Sequence, residues 1–216
     1  MKKKFCAAAV AVLLTMGLTA CSDSSTASVT STAGGSAVSV AGMELNIPED
    51  WTTAVGDKVY EILLESSDDS ADTSSVEKFR KDCEENGVSY LVYAANSDKS
   101  AVLSVTSVNI TTDETTGEKL TAEDYARQNH DTAVFSYQAS GMYIRNSSFG
   151  EEQLAGKNGW LSHFEVCSDE ETSQLIMGQS EFTFEQDGKY WSIQTYYPTE
   201  SAAQEVDDIL AGITAK

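Results

Sequence analysis

The sequence predicts an α+β domain, in which an antiparallel β-sheet is flanked by helices. Two turn signals, Asn158-Gly159 and Asp187-Gly188, suit the positive φ angles of two-residue hairpins. Strands joined by such tight turns must pair antiparallel. Three further segments have the capping residues or apolar stripes of amphipathic helices that cover a sheet. The 176 residues from Ala41 to Lys216 suit one domain with its own core.

The first half of this domain alternates strands and helices. Met43 to Ile47 alternates apolar and polar residues, and Pro48 ends that strand. The secondary structure of Lys58–Glu65 is left unassigned, because its apolar spacing favours a helix whereas its length suits a strand. The remaining predictions are an acidic loop over Ser66–Thr73, a helix from the capping box at Ser74 to Asn86 with Gly87 as C-cap, and strands over Ser89–Ala95 and Ala101–Ile110.

The second half is predicted as a polar loop, a helix, a strand meander and a closing helix. The loop runs over Thr111–Lys119, and Thr121 then caps a helix that continues to Gly141. Thr199 caps the closing helix, whose apolar stripe is Ala203, Val206, Leu210 and Ile213. The meander strands are Met142–Ser147, Phe149–Leu154, Trp160–Cys167, Gln174–Glu185 and Lys189–Tyr197.

The first 21 residues have the order of a bacterial lipoprotein signal. Three lysines precede an apolar stretch that is too short to span a bilayer, and Leu18-Thr19-Ala20-Cys21 follows. This end resembles a lipobox, which implies that residues 1–20 are a signal peptide and that Cys21 becomes a diacylglycerol-modified N-terminus. Residues 21–40 are then predicted to be the lipidated cysteine and a flexible Ser/Thr/Ala/Gly tether, which is followed by a single domain over residues 41–216.

Charge excludes several partners. The full chain has a formal charge of −20, and removal of residues 1–20 takes away three lysines and no acid, which leaves −23. Such a chain repels phosphate backbones and anionic lipid headgroups at long range, so we expect neither nucleic acid as a partner nor a basic membrane-binding face. We expect contact with the membrane through the lipid anchor instead. The acidic surface itself suits cations or basic partners, or serves solvation alone.

The mature domain contains two cysteines, Cys83 and Cys167. They lack the spacing of a Cys-x-x-Cys redox or zinc site. Cys83 shares a helical face with Val76 and Phe79, whereas alternation sets Cys167 opposite the apolar face of its strand. We therefore predict that the two thiols are unpaired.

The order of several short motifs resembles the PsbP-like fold. The motifs are Ile47-Pro48-x-x-Trp51, Leu120–Tyr125, Leu154-Ala155-Gly156 before Trp160, the hairpin around Asp187-Gly188, and the helix from Thr199 to Ile213. The resemblance implies an antiparallel sheet with helices on both faces in an α/β/α sandwich. It also implies a binding or accessory module rather than an enzyme, and it supplies no catalytic residues to carry over.

No constellation of residues predicts catalysis, a cofactor or a metal. The histidines are His130 and His163, without the spacing of a zinc site. Ser162 and His163 are neighbours on a strand, so their side chains point to opposite faces and cannot form a nucleophile–base pair. A cluster of aromatic residues near the end of the chain suits either the core or a carbohydrate- or protein-binding surface: Tyr190, Trp191, Tyr196 and Tyr197.

We therefore expect a lipid-anchored protein on the extracytoplasmic face of the cell membrane, or of the outer membrane where a cell has two. Its expected role is a binding or accessory module for an envelope protein complex or a small ligand, without enzymatic activity. The alternatives are an envelope enzyme with an unrecognised site and a small solute-binding lipoprotein. The expected contact surface is the helix-free part of the sheet, or the loops Thr111–Lys119 and Ser66–Thr73, because rigidly held loops often carry function.

Overall fold

The computed structural model describes residues 27–32, 34–66, 76–113, 116–171 and 174–216. The signal segment, Cys21 and most of the predicted loop Ser66–Thr73 lie outside these ranges. The described helices are α1 (Asp57–Ser66), α2 (Val76–Glu85), α3 (Ala122–Ala139) and α4 (Glu200–Ala211). The described strands are β1 (Ser28–Thr32), β2 (Gly35–Val40), β3 (Met43–Pro48), β4 (Thr52–Val55), β5 (Val88–Ala95), β6 (Val102–Asn109), β7 (Tyr143–Leu154), β8 (Lys157–Cys167), β9 (Leu175–Gln186), β10 (Lys189–Tyr197) and β11 (Thr214–Ala215).

A seven-stranded antiparallel sheet forms the centre of the domain. Its strand order is β4-β5-β6-β10-β9-β8-β7, and every neighbouring pair is antiparallel. Consecutive strands β7 to β10 form a meander, as predicted, but the two predicted strands Met142–Ser147 and Phe149–Leu154 are one strand, β7. An irregularity in its pairing with β8, between Arg145 and Ser148, takes the place of the predicted break. The predicted α+β class is therefore confirmed.

A second, four-stranded sheet has the order β1-β2-β3-β11. Its first two strands occupy residues 28–40, where the sequence predicted a flexible tether. That prediction is wrong for this segment, because Val38 and Val40 are 0% and 2% exposed and pair with Leu45 and Met43. The composition lacks large apolar residues, but two valines at alternate positions are sufficient to bury one face of β2. The domain thus begins before Ala41.

Helices cover both faces of the large sheet. On one face, α4 and the four-stranded sheet enclose the main apolar core, in which Phe182, Phe184 and Ile193 contact Val206 and Leu45 through a continuous cluster. On the other face, α1 and α2 pack over β5 around Tyr60 and Cys83, and α3 packs over β7, β8 and β9. The segment left open by the sequence, Lys58–Glu65, is helical in α1.

The capping residues predicted for α3 and α4 begin these two helices in the structure. The Asp124 amide donates to Thr121 Oγ1 at 3.1 Å, and the Thr121 amide donates to Asp124 Oδ2 at 3.2 Å. This reciprocal capping box begins α3. Thr199 accepts from the Ala202 amide and begins α4. The buried residues of α4 are Ala202, Val206 and Ile209. The buried face of this helix is therefore rotated by one residue from the predicted apolar stripe, which contained Ala203 and Leu210.

One hairpin turn is not where the sequence placed it. Ala155 and Gly156, with φ angles of 50° and 76°, connect β7 to β8, while Asn158 and Gly159 lie inside β8. A Cβ at Gly159 would lie 2.4 Å from the Thr183 carbonyl oxygen. Gly159 is therefore needed for close approach of two strands, not for a turn. The other predicted turn, Asp187-Gly188, is confirmed with φ angles of 53° and 72°.

The two cysteines of the domain are free, as predicted. Cys83 and Cys167 are 2% and 0% exposed. Burial raises the pKa of the Cys83 thiol to about 11, so the thiol stays protonated at neutral pH.

Candidate functional site

The face of the large sheet beneath α3 is unusually polar for a buried surface. Alternation along β6, β8, β9 and β10 places one set of side chains on the sheet face that α3 covers. Phe164 and Tyr190 belong to this set, and they contact His130 and Tyr125 of α3. The other buried members are mostly polar: Thr106, Ser162, Glu181, Thr183, Ser192 and Gln194. We call these six side chains the polar layer.

Glu181 is the central group of the polar layer. It is 4% exposed, and Thr183 Oγ1 donates to Glu181 Oε1 at 3.3 Å. Thr183 Oγ1 also lies 3.1 Å from Ser192 Oγ, which extends the network to the next strand. Burial raises the pKa of Glu181, and hydrogen bonds from Ser192, Gln194 and Thr183 oppose that effect only in part.

The inner face of α3 contributes Tyr125, Asn129 and His130. The His130 ring lies 5.8 Å from the Phe164 ring, and its Nε2 is 3.1 Å from Ser147 Oγ. Burial lowers the pKa of His130, which favours the neutral ring. One buried atom of this face, His130 Nδ1, has no hydrogen-bond partner among the described residues. The contact between α3 and the sheet is thus incompletely satisfied.

A polar pocket opens at the N-terminal end of α3. It has a volume of about 240 Å³. Its residues come from the loop Thr111–Lys119 and the first two turns of α3: Asp113, Thr116, Glu118, Lys119, Leu120, Asp124 and Gln128. This loop is one of the two that the sequence nominated as a contact surface.

The loop that lines the pocket is held in place by specific contacts. An isolated bridge pairs Thr112 with Lys119, and the Thr116 amide donates to Asp113 Oδ1 at 2.9 Å. The Tyr190 hydroxyl donates to the Leu120 carbonyl at 2.5 Å and so ties the end of the loop to β10. These contacts hold the described parts of the loop, residues 111–113 and 116–119, beside the pocket.

Charge at the pocket is predominantly negative. Asp113, Glu118 and Asp124 supply three carboxylates against the one ammonium of Lys119. Hydrogen bonds from Thr121 hold the pKa of Asp124 below its ordinary value, so this carboxylate remains ionised at neutral pH. The arrangement suits a ligand group with positive charge or several hydrogen-bond donors.

The structure gives each histidine a serine partner that the sequence did not indicate. His163 Nδ1 lies 2.9 Å from Ser180 Oγ on the neighbouring strand, and His130 Nε2 contacts Ser147. Ser162, the chain neighbour of His163, is buried on the α3 face, as alternation predicted. Only strand register brings His163 to Ser180, so no spacing in the sequence could have revealed this pair.

The carboxy-terminal aromatic residues do not form a binding surface. Tyr190, Trp191 and Tyr197 are 0%, 4% and 4% exposed, and Trp191 and Tyr197 belong to the main core. A different aromatic group reaches the edge of the sheet, where Phe149 stacks on Trp160 at 5.7 Å and Arg127 lies 4.3 Å above Phe149.

No protein-family model matches the sequence, and no curated protein matches it significantly. Solved structures do resemble it at low identity. Cyanobacterial PsbP (CyanoP) from Synechocystis sp. PCC 6803 is 14% identical, with 92% of this chain and 99% of that chain covered and a TM-score of 0.46. LpqN, involved in cell envelope biogenesis of Mycobacterium tuberculosis, is 9% identical, with 80% and 82% covered and a TM-score of 0.37.

A structure from Bacteroides thetaiotaomicron VPI-5482 is 11% identical to the chain. The match covers 81% of this chain and 45% of that chain, with a TM-score of 0.39. Membership of the PsbP-like family therefore stays a prediction. Across the described ranges, no helix is both long and apolar enough to cross a bilayer.

Proposed function

We propose that this protein is a lipid-anchored, extracytoplasmic binding module whose pocket at the N-terminal end of α3 takes a positively charged group. The anchor is Cys21, acylated after removal of residues 1–20. The group belongs to a small ligand or to a basic segment of an envelope protein. In this proposal the domain binds and does not catalyse.

The observation that carries the binding proposal is the pocket itself. Three of its lining side chains are carboxylates, those of Asp113, Glu118 and Asp124. Its loop is tied to the sheet through Tyr190 and Leu120. Because the Tyr190–Leu120 hydrogen bond already holds part of the pocket wall, less backbone has to be ordered on binding.

Lipidation is tested by replacing the acylated cysteine. Cys21→Ser removes the thiol, so the protein is expected to appear in the soluble fraction or to accumulate as unprocessed precursor. Two acyl chains are sufficient for stable anchoring. The acylated protein is therefore expected in the membrane fraction, and loss of the anchor is seen directly as loss from that fraction. A Cys21→Ser protein of mature size that still sediments with membranes would refute the anchor.

Pocket binding is tested with a defined cationic probe, the peptide Lys-Lys-Lys, by isothermal titration calorimetry at low salt. Glu118→Gln removes one carboxylate of the pocket and is expected to weaken binding. Glu205→Gln removes an exposed carboxylate of α4, outside the pocket, and serves as the matched control. Equal affinity in the two variants would assign the binding to overall charge and remove the pocket from the proposal.

The identity of a protein partner is tested in living cells. A photo-crosslinking amino acid at position 118 is expected to capture a specific protein, whereas the same group at position 205 is not. Identical products from the two positions would show that the pocket does not select a partner.

A further inference from the structure

We propose that the hairpin formed by β1 and β2 is the surface of the domain that lies against the bilayer. This inference rests on the proposed lipid anchor at Cys21. It adds an orientation: the small sheet faces the membrane, and α3 with its pocket faces away from it.

The first argument is the length of chain between the anchor and the fold. β1 begins at Ser28, seven residues after Cys21. A fully extended chain of seven residues spans at most about 25 Å, and its root-mean-square length as flexible coil is about 15 Å. The tether predicted up to residue 40 would have allowed the domain to stand much further from the headgroups. The pairing of β1 with β2 removes most of that freedom.

The second argument is the distribution of charge. The mature chain has a formal charge of −23, yet residues 24–43 contain no charged side chain. The hairpin is therefore an uncharged part of an acidic protein, and it can approach anionic headgroups without repulsion between side chains and lipid. Where charged residues adjoin it, Lys216 contacts Ser39 and forms an ion pair of 3.6 Å with Glu44.

The third argument is exposure. All five residues of β1 are exposed, and β1 forms the outer edge of the four-stranded sheet. Val29 of this strand is 44% exposed. Phe135, 71% exposed, lies on α3 across the large sheet. These two apolar side chains therefore mark opposite sides of the domain and provide matched positions for a measurement.

The experiment uses the full-length lipidated protein in vesicles of phosphatidylcholine and phosphatidylglycerol. Val29→Cys and Phe135→Cys are each labelled with an environment-sensitive fluorophore. Cys83 and Cys167 do not compete for the label, because they are 2% and 0% exposed. A lipid with a spin-labelled headgroup then quenches fluorophores that lie at the membrane surface.

The expected result is that the fluorophore at position 29 is quenched and the fluorophore at position 135 is not. Quenching at both positions, at neither, or only at position 135 would overturn the orientation. Failure of the anchor is recognised separately, because protein without lipid does not float with the vesicles. A protein that floats but is not quenched at position 29 refutes this inference and leaves the proposed anchor standing.

Discussion

Tyr125 of α3 stacks on Tyr190 of β10, with ring centroids 4.4 Å apart and an angle of 13° between the planes. The same Tyr190 donates its hydroxyl proton to the carbonyl of Leu120, a residue of the pocket wall. Burial raises the pKa of Tyr125, and the nearby Glu181 carboxyl adds to that effect. The stacked pair thus connects the pocket to the buried carboxyl of the polar layer.

The hydrogen bond of Tyr190 is expected to stabilise the loop and the pocket. Tyr190→Phe keeps the stacked ring but leaves the Leu120 carbonyl without this donor. The expected loss is about 1 kcal/mol in the free energy of unfolding, measured by urea titration with an unchanged slope. Tyr143→Phe is the control, because no hydrogen bond is described for the Tyr143 hydroxyl. A larger loss at Tyr143 would contradict the assignment.

Glu181 is expected to make stability depend on pH. Its pKa is raised by burial, so the folded protein holds this proton more tightly than the unfolded chain does. The stabilisation is complete below the ordinary pKa of glutamate and is lost as pH rises towards the folded pKa. Glu181→Gln is neutral at every pH and removes this dependence.

Melting temperatures of the wild type and Glu181→Gln should therefore nearly coincide at pH 4 and separate as pH rises, with the variant more stable at pH 7. Glu185→Gln, an exposed position on the same strand, is the matched control and should follow the wild type. Parallel curves for wild type and Glu181→Gln would show that the carboxyl is not responsible.

Gly159 is expected to be intolerant of any side chain. In Gly159→Ala the new methyl group meets the Thr183 carbonyl oxygen and the Phe182 ring, so strands β8 and β9 must separate. Overpacking of this kind costs about 1–3 kcal/mol. Gly150→Ala in the adjacent strand β7 has no atom within 4 Å of the new carbon and should change stability little. Equal effects in chemical denaturation would place the strands further apart than described.

Removal of β2 is expected to destabilise the domain strongly. A chain that starts at Ala41 loses the burial of Val38 and Val40, worth about 1.5–3 kcal/mol for each fully buried side chain. It also exposes the strand edge of β3. A chain that starts at Gly34 keeps β2 and isolates the contribution of β1. Similar melting temperatures for the Ala41 and Gly34 chains would restore the flexible tether up to residue 40.

Much of the fold could be predicted because local signals and tertiary structure agree in it. The period-2 pattern of Met43–Ile47, the capping box at Thr121 and the Asp187-Gly188 turn each depend on residues within one element. The polar loop Thr111–Lys119 was also nominated from the sequence, although the pocket beside it depends on where α3 begins.

The errors arise where a distant partner decides the outcome. Asn158-Gly159 has the composition of a turn, but contact with Thr183 makes Gly159 part of a strand. Val38 and Val40 form a strand only because β3 lies beside them. Glu181 is 4% exposed, and nothing near it in the sequence indicates that α3 covers it.

The pairing of β3 with β11 joins Glu44 to Thr214, which lies 214 − 44 = 170 residues later in the sequence. The small sheet is therefore incomplete until β11 has been synthesised. Because contacts between residues so far apart in the sequence close slowly, we expect the pairing of β11 with β3 to be a late step in the folding of the small sheet.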